Sequence, residues 1–217
     1  MTPYHKTRPS MQFTDIHTHN LDADSRHAIL NATGHIAGRN ISLGIHPWNI
    51  TDHWRQQFKA IAEAAPLHNV VAIGECGLDR LKSPACIELQ KEIFRSHALL
   101  AEEREKPLII HCVKAHDELI AMHKEISPKQ AWIIHGFRGK PAQAGQLLKA
   151  GLYTSLGEHF NPETAKAIPI DRLFIESDES PLPIARIYAG IAATKGVTIE
   201  KLALQTMQNA AECGIIL

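Results

Sequence analysis

Two histidines near the start of the chain give the first indication of chemistry. The segment from Phe13 to His19 is predicted to be a short strand that ends with His17 and His19. Residues i and i+2 of an extended segment point to the same side, so both imidazoles can bind one metal ion. With 14 His in 217 residues, such a pair is expected about once by chance. The pair alone is therefore equally compatible with two hydrogen-bonded histidines at a strand end.

Four further residues that can bind metal ions each close an apolar run of the sequence. They are Glu75, His111, His135 and Asp178. Taken singly, each has an ordinary alternative, since a strand-end histidine is often structural and a carboxylate often caps a helix or forms an ion pair. Taken together they favour a metal site, because burying two carboxylates without cations is costly. A set of four imidazoles and two carboxylates suits Zn²⁺ or Mn²⁺ better than Mg²⁺.

Composition limits the classes of function. The chain has 23 Lys+Arg and 23 Asp+Glu, so any attraction for anions must be local, which argues against a generally basic surface that coats nucleic acid. The four cysteines form no CxxC pair, which excludes zinc-finger and thioredoxin motifs. Cys76 and Cys112 each follow a proposed ligand, so we expect them to point away from the barrel interior.

The length and hydropathy of the chain predict one folded unit outside the membrane. With 217 residues and 44% hydrophobic content, residues 1–217 are predicted to form a single α/β barrel domain. The sequence has no run of 18 apolar residues, and its first residues lack the apolar region of an export signal. We therefore expect a reduced, cytoplasmic protein with no membrane partner, and we favour a monomer.

Apolar runs and helical spacing predict alternating strands and helices. The predicted strands are 12–17, 28–32, 41–45, 70–75, 108–111, 131–135, 152–155 and 173–176. The predicted helices are 54–65, a long one from Ser83-Pro84 to just before Lys106, 116–126, one that ends at Ala150, 184–195 and 199–213, the last capped by Thr198. In the long helix the predicted apolar stripe is Ile87, Phe94, Leu99 and Leu100.

Eight short strands alternating with helices predict a (β/α)₈ TIM-type barrel of the metal-dependent hydrolase kind, with abbreviated early repeats. A doubly wound open sheet is the alternative. The barrel is favoured because the six candidate ligands follow strands spread along the whole chain. A closed barrel brings all those strand ends to one face, whereas an open sheet would spread them over two edges.

The motifs around these residues resemble those of the TatD family of metal-dependent deoxyribonucleases. The matching segments occur in the family's order and are Asp15-Ile16-His17-Thr18-His19, Gly44-Ile45-His46-Pro47, Gly74-Glu75-Cys76-Gly77-Leu78-Asp79, Ile110-His111-Cys112, His135-Gly136-Phe137-Arg138-Gly139 and Glu176-Ser177-Asp178-Glu179-Ser180-Pro181. The resemblance implies two divalent ions and hydrolysis of phosphodiester bonds in DNA. One ion would be held by His17, His19, Glu75 and Asp178. The other would be held by Glu75, His111 and His135, with Glu75 as the bridge.

Charge also favours two ions. One divalent ion with Glu75, Asp178 and a hydroxide leaves a net negative charge that repels a phosphodiester, whereas a second ion makes the sum positive. Two ions can also stabilise the attacking and the leaving oxygen of an in-line displacement. We therefore expect two divalent ions (Zn²⁺, Mn²⁺ or Mg²⁺) and assign catalytic roles to Glu75, the bridge, and Asp178, which would orient the attacking water and take its proton.

The predicted substrate is a nucleic acid or a small phosphodiester. Cations that follow the strand ends could bind phosphate, and these are Arg80, Lys82, Lys114, Arg138 and Lys140. Of these, Lys114 and Arg138, together with His46, are our predicted substrate-binding residues. Family members commonly carry an Arg where this chain has Val113, and their basic loop after the strand-eight Asp is missing here.

Two other functions remain open at this level. One is hydrolysis of C–N bonds by an amidohydrolase, a class that often bridges its ions with a carboxylated lysine where this chain has Glu75. The other is a non-catalytic, metal-binding barrel that has lost its substrate loops.

Overall fold

The computed structural model describes residues 11–217, within which eight strands alternate with helices. The strands are β1 (Asp15–Thr18), β2 (Ala28–Ala32), β3 (Ile41–Leu43), β4 (Val70–Asp79), β5 (Leu108–Val113), β6 (Trp132–Ile134), β7 (Tyr153–Leu156) and β8 (Leu173–Ile175). The α-helices are α1 (Trp54–Ala64), α2 (Ile87–Glu103), α3 (His116–Ile126), α4 (Pro141–Lys149), α5 (Pro162–Ala167), α6 (Ile184–Lys195) and α7 (Ile199–Glu212). The N-terminal residues, on which the expectation of no export signal partly rests, lie outside this range.

The strands form one parallel sheet in sequence order, which confirms the predicted (β/α)₈ barrel. Each strand from β1 to β8 pairs in parallel with the next. The ends meet through a parallel bridge between Thr18 and Asp178. At this seam the amide of His19 donates to the carbonyl of Asp178 at 3.0 Å, and the amide of Asp178 donates to the carbonyl of His17 at 3.0 Å. All strand C-termini therefore open onto one face.

A second set of bonds closes the same seam with side chains. The buried carboxylate of Asp15 accepts hydrogen bonds from the amide of Ser177 at 2.9 Å and from its hydroxyl at 2.6 Å. Burial raises the pKa of Asp15 to about 7, although these two hydrogen bonds favour the carboxylate. The seam thus joins β1 to the segment after β8 directly beside His17 and Asp178.

The early repeats are abbreviated, as predicted. Residues 19–27 and 33–40 connect β1 to β2 and β2 to β3 without a helix. The first connection that contains an α-helix is the one from β3 to β4, which includes α1. A short 3₁₀ turn, Pro47–Asn49, precedes α1 at the open face of the barrel.

Strand alternation separates the core from the open face. In four strands a buried apolar residue lies two positions before a polar residue of the interior, so both side chains point to the same side of the strand. The apolar residues form the floor of the barrel interior beneath the polar ones. These residues are Ile29, Ile109, Ile133 and Phe174. Cys76 and Cys112 instead lie among residues that pack under the outer helices, which confirms the predicted direction of both thiols.

The predicted start of α2 at Ser83 and Pro84 was wrong. α2 begins at Ile87 with Cys86 as its N-cap. The hydroxyl of Ser83 instead donates to the carbonyl of Pro47 at 2.8 Å and accepts from the amide of Ala85 at 3.2 Å, so the Ser-Pro pair forms a turn that ties two loops together.

Other differences concern side-chain direction and element length. Leu99 of α2 is 55% exposed and is not part of the apolar stripe, because the buried face of the helix turns through His97 and Ala98 instead. β4 continues to Asp79, beyond the predicted end at Glu75. α5 was not predicted, although Asn161 caps it by accepting from the amides of Glu163 and Thr164. Thr198 caps α7, as predicted.

No helix within residues 11–217 combines the length and the apolar character needed to cross a lipid bilayer.

His97 is a fully buried imidazole that the fold keeps neutral. Its Nδ1 donates to the carbonyl of Ile93 at 2.8 Å, and its Nε2 accepts from the amide of Ile45 at 3.1 Å. Burial lowers the pKa of His97 to about 4 from its ordinary 6.5. These two bonds connect α2 to the end of β3, immediately before His46.

We expect His97 to make the protein less stable in acid. The unfolded chain binds a proton below pH 6.5 but the folded chain only near pH 4, so the free energy of unfolding falls as pH falls through this window. The loss from this group is about 2 kcal/mol between pH 7.5 and pH 5. Urea unfolding of metal-stripped protein measures it.

The control is His97→Gln, which can make both hydrogen bonds without titrating. The other histidines contribute equally to both proteins, so the difference in pH dependence isolates His97. An identical pH dependence in the variant and the wild type would contradict the assignment.

Candidate metal centre

The strand ends bring the six predicted ligands to one place at the open face of the barrel. His17 lies in β1, Glu75 in β4 and His111 in β5. His19 and His135 directly follow β1 and β6, and Asp178 is the third residue after β8. Because a closed barrel converges these ends, residues separated by most of the chain become neighbours.

One oxygen of Glu75 faces the β1 histidines. Oε2 lies 3.3 Å from Nε2 of His17 and 3.7 Å from Nε2 of His19. Oδ1 of Asp178 lies 3.8 Å and 3.6 Å from the same two nitrogens. The imidazoles of His17 and His19 and the carboxylates of Glu75 and Asp178 thus face one common position.

The other oxygen of Glu75 faces a different set of imidazoles. Oε1 lies 2.7 Å from Nε2 of His135 and 3.0 Å from Nδ1 of His111. His46, which we predicted as a substrate contact, places its Nε2 3.1 Å from the same oxygen. Glu75 therefore separates the histidines into two groups, one on each carboxylate oxygen.

Asn31 holds the central carboxylate, and its role was missed. Its Nδ2 donates to Oε2 of Glu75 at 3.2 Å, and its Oδ1 accepts from the amide of Glu75 at 3.1 Å. Asn31 is the one amide side chain in the otherwise apolar β2, Ala28–Ala32. A lone polar residue in a buried strand is the signal that could have found it.

Asp79, at the end of β4, positions His111. Its Oδ2 lies 3.0 Å from Nε2 of His111 and accepts from Nε1 of Trp48 at 2.6 Å. Burial alone would raise the pKa of Asp79, but the donors around it, which include the amides of Leu81 and Lys82, lower the pKa to about 2. An ionised carboxylate that accepts from the far nitrogen of a ligand histidine fixes its tautomer and orientation. Asp79 was within a quoted motif, but we assigned it no role.

Glu176 lies behind His135 as an ion-pair partner, at a longer distance than that between Asp79 and His111. It is fully buried, and its Oε1 lies 3.4 Å from Nδ1 of His135. Burial favours the neutral forms of both groups, but the negative charges of Glu75 and Glu176 raise the pKa of His135 well above its ordinary value, and the positive charge of His135 lowers that of Glu176. Its position at the end of β8 was predicted, whereas this contact was not.

Two glycines allow the backbone to pack tightly around Glu75. A Cβ on Gly44 would lie 2.5 Å from the carbonyl oxygen of Glu75. Gly77 has φ +153°, and a Cβ there would overlap the carbonyl oxygen of His111. Any larger residue at either position would displace Glu75 or His111 from the cluster.

The buried carboxylates of the cluster need positive charges nearby in order to remain ionised. Burial would raise the pKa of Glu75, but the positive charges of His135 and His17 hold it well below its ordinary value. The pKa of His19 is raised by its hydrogen bond to Glu75, against the effect of burial. Because the raised pKa values of His19 and His135 favour their protonated forms, a metal ion that bound these imidazoles would release protons.

The residues present fit divalent metal ions. His17 is fully buried, yet neither ring nitrogen makes a hydrogen bond within residues 11–217. A buried imidazole without partners is costly unless something else binds it. Three sets have ligand atoms within 4.8 Å of one another: His17, His19 and Glu75; His17, His135 and Asp178; and His46, Glu75 and His111.

Two cavities border the cluster. One, of about 400 Å³, lies beside His46 and Glu75, and the other has about 540 Å³. The larger one opens at His111, His135 and Asp178, and its rim bears three cations, Lys82, Lys114 and Arg138. Of the five cations proposed to bind phosphate, Arg80 is engaged elsewhere, because its guanidinium donates to Glu118. Lys140 is the N-cap of α4 and does not line this cavity.

Comparison with known proteins decides the family. The family model described as TatD related DNase matches residues 11–213 of the chain. The chain belongs to the TatD family. It is a metal-dependent hydrolase of that family, as its motifs predicted.

Among TatD relatives, an uncharacterized metal-dependent hydrolase, YabD of Bacillus subtilis (strain 168), is 31% identical over 78% of this chain and 74% of its own length. A protein described as 3′-5′ ssDNA/RNA exonuclease TatD, from Erwinia amylovora, is 28% identical over 78% of this chain and 75% of its own. The crystal structure of YJJV, a TatD homolog from Escherichia coli K12, superposes with a TM-score of 0.74 at 22% identity, covering 86% of this chain and 85% of that one. That likeness confirms the fold.

We expect Glu75→Gln to weaken metal binding and to lower turnover by more than about 100-fold. Glu75 is the predicted bridge, and loss of a bridging ligand should cost more than the 10- to 100-fold typical of outer residues. Calorimetric titration of metal-stripped protein with Zn²⁺ or Mn²⁺ measures the binding. Glu92→Gln, an exposed carboxylate of α2, is the matched control. Full metal-dependent activity in Glu75→Gln would refute the role of Glu75.

Proposed function

We propose that this protein binds two divalent cations on either side of Glu75 and hydrolyses phosphodiester bonds of nucleic acid. The observation that carries the proposal is the division of five imidazoles between the two oxygens of one buried carboxylate. Such a division matches a bridging ligand rather than a single-ion site. His17, His19 and Asp178 would complete one site, and His111 and His135 the other, with the metal identity open among Zn²⁺, Mn²⁺ and Mg²⁺.

Divalent cations held there would lower the pKa of the attacking water and offset the negative charge on the phosphate oxygens. The protein's own groups supply the remaining chemistry. Asp178 is half-buried at the mouth, and its carboxylate can orient the water and accept its proton. Asp79 and Glu176 hold His111 and His135, so the ligands keep their geometry while charge develops.

The cations at the rim support an anionic substrate. Lys82, Lys114 and Arg138 are exposed and line the cavity that contains His111, His135 and Asp178. Since the chain as a whole has equal numbers of acidic and basic residues, this local group is what would attract phosphate. His46 lies against Glu75 and is either a substrate contact or a third imidazole of the second ion site.

The name of one relative supports single-stranded nucleic acid as the substrate class, since it is described as a 3′-5′ ssDNA/RNA exonuclease. Hydrolysis of C–N bonds is less supported, because Glu75 occupies the position of the carboxylated lysine and the rim is cationic. A non-catalytic barrel is also less supported, because the ligand cluster is complete.

Metal-stripped protein is expected to regain activity on single-stranded DNA or RNA and on bis-p-nitrophenyl phosphate when Mn²⁺, Zn²⁺ or Mg²⁺ is added back. Cyclic amides run in parallel test the C–N alternative. Turnover of amides alone would favour an amidohydrolase. Binding of nucleic acid without cleavage, whichever ion is supplied, would favour the non-catalytic barrel.

Arg138→Ala is expected to raise the KM for an oligonucleotide roughly tenfold with little change in kcat, because it removes a charged hydrogen-bond donor to phosphate. Steady-state kinetics on a labelled oligonucleotide measures this. The control is Arg172→Ala, which removes an exposed arginine just before β8, at the opposite end of the barrel. Equal KM values in the two variants would exclude Arg138 from substrate binding.

A further inference from the structure

Trp48 is an exposed aromatic side chain at the mouth of the candidate site. It lies in the 3₁₀ turn Pro47–Asn49, directly after His46-Pro47. Its exposed fraction is 42%, whereas the other two tryptophans, Trp54 and Trp132, are 6% and 1% exposed. An indole left in water at a site entrance calls for a reason other than packing.

The indole is exposed but fixed. Its Nε1 donates to the buried carboxylate of Asp79 at 2.6 Å. The turn beneath it is tied to the loop after β4 by the bond from the hydroxyl of Ser83 to the carbonyl of Pro47 at 2.8 Å. A ring held in this way loses little conformational freedom when a ligand binds to it.

The ring also lies close to the proposed metal ligands. Its centroid is 4.7 Å from the ring of His46 and 5.6 Å from that of His111. It lines the larger cavity, of about 540 Å³, together with Leu81, which is 67% exposed. An aromatic and an aliphatic surface therefore stand next to the point where the scissile phosphate would sit.

A cation covers the ring. The ammonium of Lys82 lies 4.4 Å from the centroid of the Trp48 ring. At an exposed site such a cation–π contact is weak, so a ligand with a larger planar surface can replace it. The displaced ammonium would remain within reach of the cavity that Lys82 already lines.

We propose that Trp48 is the stacking surface for the nucleobase next to the scissile phosphodiester, an inference that rests on the proposed function. The base takes the place of the Lys82 ammonium over the ring, and the ammonium pairs with a phosphate of the same nucleotide. A flat π-face beside Lys82, in a cavity that Lys114 and Arg138 also line, matches a base attached to phosphates. Because every base has a π-face, binding here tolerates any sequence.

Kinetics of metal-loaded protein separate stacking from other roles of Trp48. Trp48→Ala is expected to raise the KM for a short single-stranded oligothymidylate roughly 5- to 100-fold and to leave kcat nearly unchanged. Trp48→Phe keeps an aromatic face but lacks the bond to Asp79, and its KM should stay near the wild-type value. Leu99→Ala, which removes an exposed apolar side chain from the outer helix α2, is the control.

A second substrate tests the same contact by removing the base instead of the indole. An oligonucleotide of equal length without bases should have the same high KM with wild type and with Trp48→Ala. In metal-stripped wild type, oligothymidylate should quench the tryptophan fluorescence, and the abasic strand should not.

Equal KM values for wild type and Trp48→Ala would overturn the inference, and so would equal affinity for the normal and abasic strands. A KM in Trp48→Phe as high as in Trp48→Ala would also overturn it, since the role would then be to position Asp79. If no phosphodiester is cleaved, the proposed function fails. Quenching by oligothymidylate but not by the abasic strand would then support base stacking alone, and its absence would overturn that as well.

Discussion

The arrangement of the open face depends on one buried carboxylate shared by two sets of imidazoles. Glu75 is buried inside the barrel, where a carboxylate is stable only beside positive charge, and the charges of His135 and His17 hold its pKa well below the ordinary value. Neighbouring residues hold Glu75 in place. Asn31 holds both its side chain and its amide, and Gly44 leaves room for its carbonyl. The histidines are held in turn by Asp79 and Glu176.

The repeating pattern of the sequence was sufficient to predict the barrel and where the site lies on it. Short apolar runs separated by helices predict a parallel sheet, either closed or open. Only the closed barrel brings all strand ends to one face, so His17, Glu75, His111, His135 and Asp178 could be placed together from the sequence. Helix boundaries were accurate where a capping residue marks them, since Thr198 caps the start of α7 and Gly196 follows the end of α6. The start of α2 failed because Ser83 has the residue type of a cap but makes its bond to a distant carbonyl.

The residues that were missed share one property, in that each acts through another side chain. Asn31, Asp79 and Glu176 bind no ion in the proposed scheme, and their importance lies in a contact between strands that residue type alone does not reveal. Arg80 illustrates the converse. As a residue type it suits phosphate, but Glu118 of α3 occupies its guanidinium. Sequence shows which groups can do chemistry, whereas tertiary contacts decide which of them are free to do it.

The seam between β1 and β8 has a consequence for how the protein matures. Asp15 and Ser177 are 162 positions apart, yet their hydrogen bonds lie beside His17 at one edge and Asp178 at the other. A nascent chain that has not yet supplied its last strand carries the first pair of histidines without Asp178, one of the two carboxylates that face them. The full set of proposed ligands therefore comes together late, once both edges have joined, and an unfinished or truncated chain lacks the assembled cluster.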